Sequence, residues 1–191
     1  MTRMLSTGSA ALVLCLLSGF ALAEVTAKGE LGASFASGNS ETESANAALE
    51  LGLTSGKWAH TLGLAGNYGS DNDVTTAQRW EVRGQSGYDL TDRTYWFGAG
   101  RYEDDRFSAY DFQATASTGL GYRFIDSERT KLWVQGGPGY RFAEFNQTGE
   151  SEDSAIIRGD LGLDYQLTET TKIVERLLVE TGSDNTYVQN D

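Results

Sequence analysis

The sequence predicts an all-β chain, an antiparallel meander of two-faced strands that builds an outer-membrane β-barrel. Three observations predict it. Residues 111–124 (DFQATASTGLGYRF) set Phe112, Ala114, Ala116, Thr118, Leu120, Tyr122 and Phe124 on even positions and Asp111, Gln113, Thr115, Ser117 and Arg123 on odd ones. A period of two makes a strand with an apolar and a polar face, whereas a helix needs 3.6. A polar turn (IDSERT) then leads into 131–143, closing an antiparallel hairpin with strands longer than the soluble mode of about five to six residues. Finally, aromatics gather near both ends of the apolar faces, as amphipathic rings do at the two interfaces of a membrane.

The N-terminus reads as a signal peptide over residues 1–23. Arg3 supplies a positive region, residues 10–20 an apolar core, and Ala21-Leu22-Ala23 a cleavage site, so the mature barrel domain is expected over 24–191. The apolar core is too short to span a bilayer as a helix. Cys15 follows Leu14, where lipid attachment wants a small residue, so no lipoprotein is expected. Cleavage removes the one Cys, and with it disulfide and thiol chemistry. It also removes Arg3, taking the net charge from −12 to −13. That acidity excludes nucleic acid as a partner, because phosphate binding needs a basic stripe. With 23 Gly and one Pro, the chain has the profile of many tight turns rather than of disorder.

In order, nine strands are predicted, over roughly 26–37, 44–54, 57–69, 78–90, 94–103, 111–124, 131–143, 154–167 and 171–180. In the second, Ala45, Ala47, Leu49, Leu51 and Leu53 oppose Asn46, Glu50 and Thr54. In the fourth, Trp80, Val82, Tyr88 and Leu90 oppose Arg79, Glu81, Arg83, Gln85 and Asp89. In the eighth, Ala155, Ile157, Leu161, Leu163, Tyr165 and Leu167 oppose Arg158, Asp160, Asp164 and Gln166. The fifth is ambiguous, since Tyr95 and Phe97 oppose Trp96 and Tyr102. The ninth is poor, because Lys172, Glu175 and Arg176 break both faces. Connections after even strands read short (Ser55-Gly56, TDR, IDSERT, TET). Those after odd strands read long (GNSETE, SDNDVTTA, DDRFSAY, NQTGESED, and the tail from Thr181). Short periplasmic turns and longer external loops are the habit of outer-membrane barrels.

On that orientation Trp58, Tyr88, Trp96, Tyr122, Phe124, Trp133 and Tyr165 form a periplasmic belt. Phe35, Tyr68, Trp80, Tyr102, Phe112, Tyr140 and Phe142 form an external one. A soluble sandwich or lipocalin-like barrel also alternates. Runs such as Arg79, Glu81 and Arg83 on one strand face instead suit a wet lumen. Pro138, in the middle of strand seven on the apolar face, is expected to mark a bulge or kink.

Little chemistry is visible. The sole His, His60, shares the apolar face with Trp58 and Leu62 and points toward lipid. There is no phosphate-binding loop and no His/Cys metal cluster in the sequence. No catalytic, cofactor-binding or metal residue is therefore assigned, and the chain is expected not to be an enzyme. A carboxylate-only hydrolase would draw on Asp111, Glu81 and Asp160, which face inward. The loops are acidic at Glu41, Glu43, Asp71, Asp73, Asp104, Asp105, Glu150, Glu152, Asp153 and Asp184. That is mostly a solvated surface, with weak divalent-cation binding as its functional alternative.

The segments GELGASFASGNSETES (29–44), RYEDDRF (101–107), STGLGYRF (117–124), WVQGGPGYRF (133–142) and LLVETGSDNTY (177–187) together resemble the YdiY-like family of salt-induced outer-membrane proteins. That family carries the label "domain of unknown function 481". The resemblance covers essentially the whole mature chain. It implies a β-barrel in a bacterial outer membrane, in contact with lipid and lipopolysaccharide and delivered by the barrel-assembly machinery. A porin-like or structural part under salt or osmotic stress is expected. An outer-membrane hydrolase of lipid or peptide, or a soluble periplasmic ligand-binding barrel, is the alternative. The family brings no established activity. It also implies about three strands beyond the nine, twelve in all, so the C-terminal side of the barrel is expected to be missing and the first and last strands to stay unpaired.

Overall fold

Backbone groups of a strand find partners only on neighbouring strands, so a chain of period-two segments must assemble sideways. The computed structural model describes residues 23–36, 41–168, 170–182 and 186–190. The expected leader, all but Ala23, lies outside them. Ten strands follow one another: β1 (Glu24–Ala36), β2 (Thr42–Ser55), β3 (Trp58–Asp71), β4 (Val74–Asp89), β5 (Thr94–Asp105), β6 (Tyr110–Asp126), β7 (Thr130–Phe145), β8 (Ser151–Gln166), β9 (Lys172–Thr181) and β10 (Thr186–Asn190). They form one antiparallel meander in sequence order, β1 to β10. Among the described residues β1 pairs with β2 alone and β10 with β9 alone, so the sheet is open at both edges, as expected.

The tenth strand corrects the sequence reading, which took everything after Thr181 as loop. Thr186 pairs with Thr181 and Val188 with Val179. Five residues beside an Asp-Asn pair are too few to display a period. The expected difference in loop length also fails. The connection after β3 is the two residues Asn72 and Asp73, as tight as Gly56-Lys57 after β2. Asn72 and Asp73 hold φ of 48° and 62°, a left-handed pair that Asn and Asp tolerate and that turns a hairpin. Polar residues read as loop are strand ends here, because lateral pairing continues past the apolar stretch.

Pro138 makes no bulge, but it falls within a break in the ladder to β6. The β6–β7 ladder lapses between Ser117↔Gly139 and Leu120↔Gly136 and resumes in the same register, while Pro138 stays paired to Ile157 of β8. The register shifts lie elsewhere, between Tyr110 and Phe112 and between Arg123 and Ile125. At the lapse the two backbones crowd together: a Cβ on Gly119 would strike the Gly136 carbonyl and the Gly137 Cα. Gly119→Val should therefore cost about 1–3 kcal/mol by overpacking. A lowered urea midpoint of the refolded full-length protein checks this, and an unchanged midpoint refutes it.

The faces are sorted in reverse of a soluble protein. On β6, Leu120 is 56 % exposed and Ser117 8 %. Leu31, Phe35, Leu64, Trp80, Phe124 and Leu161 are likewise exposed, whereas Glu81, Arg101, Glu103, Gln135, Asp160 and Glu180 are buried. The apolar face is convex and the polar face concave. Strand five is resolved by the same rule: Tyr95 and Phe97 are buried on the concave side, while Trp96 stands exposed on the convex side, with Tyr102 in the same face. Trp133 departs from its expected belt position. It shares its strand face with buried Gln135 and lies over Gly162, on the concave side. The remaining rings make two bands on the convex face. Trp58 meets Tyr88 at 4.9 Å and Tyr122 meets Phe124 at 5.0 Å in one band. In the other, Trp80 meets Tyr102 at 5.0 Å and Tyr140 meets Phe142 at 4.8 Å. From Tyr88 to Trp80 the strand runs roughly 26 Å at about 3.3 Å per residue. A tilt of about 40° turns this into roughly 20 Å of height, near the apolar band of a membrane barrel.

Candidate functional site

Alternating charge along a strand face needs only every second residue, and the concave face uses that spacing. Arg79, Glu81 and Arg83 share one face of β4; Arg101 and Glu103 share one face of β5. Arg79 bonds Glu81 and Glu103, each at 3.0 Å, and Arg101 bonds Glu103 at 2.8 Å. Arg83 continues the series to Glu81 at 3.8 Å and to Glu50 of β2 at 3.5 Å, and Glu50 meets Lys28 of β1 at 3.4 Å.

The series then leaves the wall. Arg101 Nη2 donates to Glu180 Oε2 at 2.8 Å, from β5 to β9. Glu180 also faces Arg158 of β8 at 3.8 Å, and Arg158 is held by Asp160 at 2.9 Å. Ten charges of alternating sign are thus strung from Lys28 to Asp160. The last of them accepts from Gln135 Nε2 at 2.9 Å, and Gln135 exchanges amide hydrogen bonds with Gln85. Tyr95 donates its hydroxyl to Gln135 Oε1 at 3.0 Å. The ten charges cancel, so the acidity of the chain resides elsewhere, much of it at strand ends such as Glu43, Asp71, Asp104, Asp105, Glu152 and Asp153.

Nearer the Trp58 end a second group lines the concave side. Arg123 bonds Asp89 at 2.7 Å and lies 4.7 Å above the Tyr95 ring. Asp164 takes Lys172 at 2.7 Å and Arg176 at 2.6 Å, and Arg176 stacks on Trp133 at 5.6 Å. Lys172 and Arg176, which broke the pattern of the ninth strand, are therefore concave-face partners of β8. A cavity of about 460 Å³ opens here, lined by Trp58, Asp89, Arg123 and Trp133 among others.

Two of the three carboxylates that a hydrolase would draw on are already engaged. Glu81 and Asp160 are both buried and both ion-paired, and Asp111 is exposed at the register shift that begins β6. His60 is where the sequence placed it, on the convex face, stacked on Trp58 at 5.7 Å and bonded through Nδ1 to Ser86 Oγ at 2.9 Å. Two of the acidic residues that the sequence places in loops are strand-end residues with local uses. Asp105 accepts from the Phe107 amide at 2.9 Å and Glu152 from the Tyr110 hydroxyl at 3.1 Å. Among the described residues no three His, Cys, Asp or Glu side chains are placed to hold a metal ion; Asp184 lies outside them.

A family model described as "Protein of unknown function, DUF481" matches residues 29–191. The chain belongs to the DUF481 family. It is similar to "Uncharacterized protein YdiY" of Escherichia coli (strain K12), 25 % identical over 163 residues, which are 83 % of this chain and 64 % of that protein. The DUF481 chain thus spans just under two thirds of that relative's length.

Sequence reasoning missed the centre of this DUF481 concave face. Arg101 and Glu103 carry the same alternating signal as Arg79, Glu81 and Arg83, but sat in a strand whose faces looked ambiguous. Glu180 sat in the strand judged poor. Their joining depends on the curl of the whole sheet, and no local pattern announces it.

Proposed function

We propose that this protein is a β-barrel of the bacterial outer membrane, non-enzymatic, with a structural or porin-like part in the envelope under salt or osmotic load. The observation that carries the reading is the inverted burial: charged and amide side chains are buried together, while Leu, Phe and Trp stand exposed in a band bounded by rings. Such an arrangement is unfavourable in water and favourable in lipid. The paired state of Glu81 and Asp160 and the convex position of His60 support a non-enzymatic role. Lipid, lipopolysaccharide and the barrel-assembly machinery are the partners this reading implies. An acidic rim would meet lipopolysaccharide phosphates through bridging divalent cations.

Backbone groups facing hydrocarbon must all be paired, so the test uses the full-length protein. It is expected in the outer-membrane fraction, with heat-modifiable mobility and an intact mass beginning at Glu24. Recovery in the soluble periplasm would refute the reading.

A further inference from the structure

Adjacent strands lie about 4.8 Å apart, so four spacings on a flat sheet amount to about 19 Å. Arg101 of β5 and Glu180 of β9 are four strands apart, yet they touch at 2.8 Å. Arg101 also lies 4.2 Å over the Tyr187 ring of β10. The sheet is therefore curled until its fifth strand faces its ninth and tenth across the concavity. Burial gives the same result independently. Glu180 and Phe97 are 0 % exposed, on the concave face of a sheet that forms a single layer among the described residues. Among those residues the cover over Glu180 includes Arg101, reaching from the opposite wall. Below this level the cavity at the Trp58 end and a smaller one of about 200 Å³ share Arg123 and Trp133. The smaller is bounded by Gln85 and Tyr95, the residues that bond Gln135.

We propose that the lumen is closed across its middle by a side-chain plug centred on the Arg101–Glu180 pair, so that the native barrel is occluded and its Trp58-end cavity is blind. The inference rests on the reading of the chain as a membrane barrel and, within that reading, favours the structural part over the porin-like one: solutes do not pass in the native state. Barrels of about eight strands are filled by side chains and those of about sixteen leave an aqueous channel; a barrel with ten described strands lies between, and the Arg101–Glu180 contact across the concavity is what decides for closure. The charges of the plug are balanced by its own residues, Arg101 by Glu103 and Glu180 and Glu180 further by Arg158, although Arg101 Nε and Glu180 Oε1 make no hydrogen bond among the described residues. It needs no ion to hold it, and because it is buried, salt screens it little.

The experiment is single-channel recording of the refolded full-length protein in planar bilayers, with heat-modifiable mobility scored on the same preparations. The wild type is expected to be heat-modifiable and to pass little or no current. The double variant Arg101→Ala, Glu180→Ala removes both charges together, and should pass current several-fold above wild type. Glu180→Ala alone leaves Arg101 paired to Glu103 and keeps the test open if the double variant fails to fold; it should also raise the current. A heat-modifiable wild type that conducts as strongly as the variants overturns the plug. So do heat-modifiable variants that stay silent. A wild type that is not heat-modifiable overturns the barrel reading itself.

Discussion

Arg101→Ala should destabilise the folded full-length protein by about 3–5 kcal/mol, the loss expected when one partner of a buried ion pair is removed. Arg101 donates to Glu103 and to Glu180, each at 2.8 Å. Without it Glu103 keeps Arg79 at 3.0 Å, but among the described residues Glu180 keeps only Arg158 at 3.8 Å. A carboxylate with no exposed surface is then left nearly uncompensated. The cost is that of stranding a charge, so removing both charges should recover most of it. Arg101→Met with Glu180→Met is expected to lie much nearer wild type, since an apolar pair of similar volume replaces a buried ion pair at little cost. The far end of the series gives the contrast. Lys28, with its side chain 75 % exposed, meets Glu50 at 3.4 Å. Lys28→Ala should cost below about 1 kcal/mol. Urea midpoints of protein refolded in lipid vesicles, followed by tryptophan fluorescence, order the three. A double variant as unstable as the single one would mean that Arg101 acts through packing and not through charge.

The strands and their faces were legible because alternation is local. Even positions of strand six are convex, as the sequence expects, and the rings at Trp58, Tyr88, Trp80 and Tyr102 fall into two bands. Most of what failed depends on more than one strand. Trp133 is an exception: its place near a strand end suggested the belt, but the apolar positions of its strand, Pro138, Tyr140 and Phe142, are even, and parity sends Trp133 to the concave side with Gln135. Asn72 and Asp73 form a two-residue turn because β3 and β4 stay paired through polar residues that composition alone assigns to a loop. The Arg101–Glu180 bond joins residues 79 apart in sequence. It exists only because the sheet curls, and curl is a property of ten strands together. For the same reason no site could be named in advance: each charged residue alone reads as a solvated lumen face.

Leu64→Arg should cost about 2–4 kcal/mol, whereas Ala65→Arg, one residue on, should cost far less. Both lie on β3 at the same depth, and they point to opposite sides. Leu64 is exposed on the convex face, paired with Leu49 and Val82. It stands six residues from Trp58 and four from Tyr68, roughly 20 and 13 Å along the strand. That places it near the middle of the apolar band, where a guanidinium is costliest. Leu120, by contrast, is in register with Trp96 of the ring band, and a charge there is expected to cost only about 0–1 kcal/mol. Ala65 faces the concave side opposite Glu81, so an arginine there meets a carboxylate and polar surroundings. The measurement is again the urea midpoint in vesicles, with binding of the unfolded chain to lipid controlled by matching the vesicle concentration. If Leu64→Arg and Ala65→Arg cost the same, the convex face does not meet hydrocarbon. If Ala65→Arg costs more than Leu64→Arg, the faces are those of a water-soluble barrel, and the membrane reading falls with them.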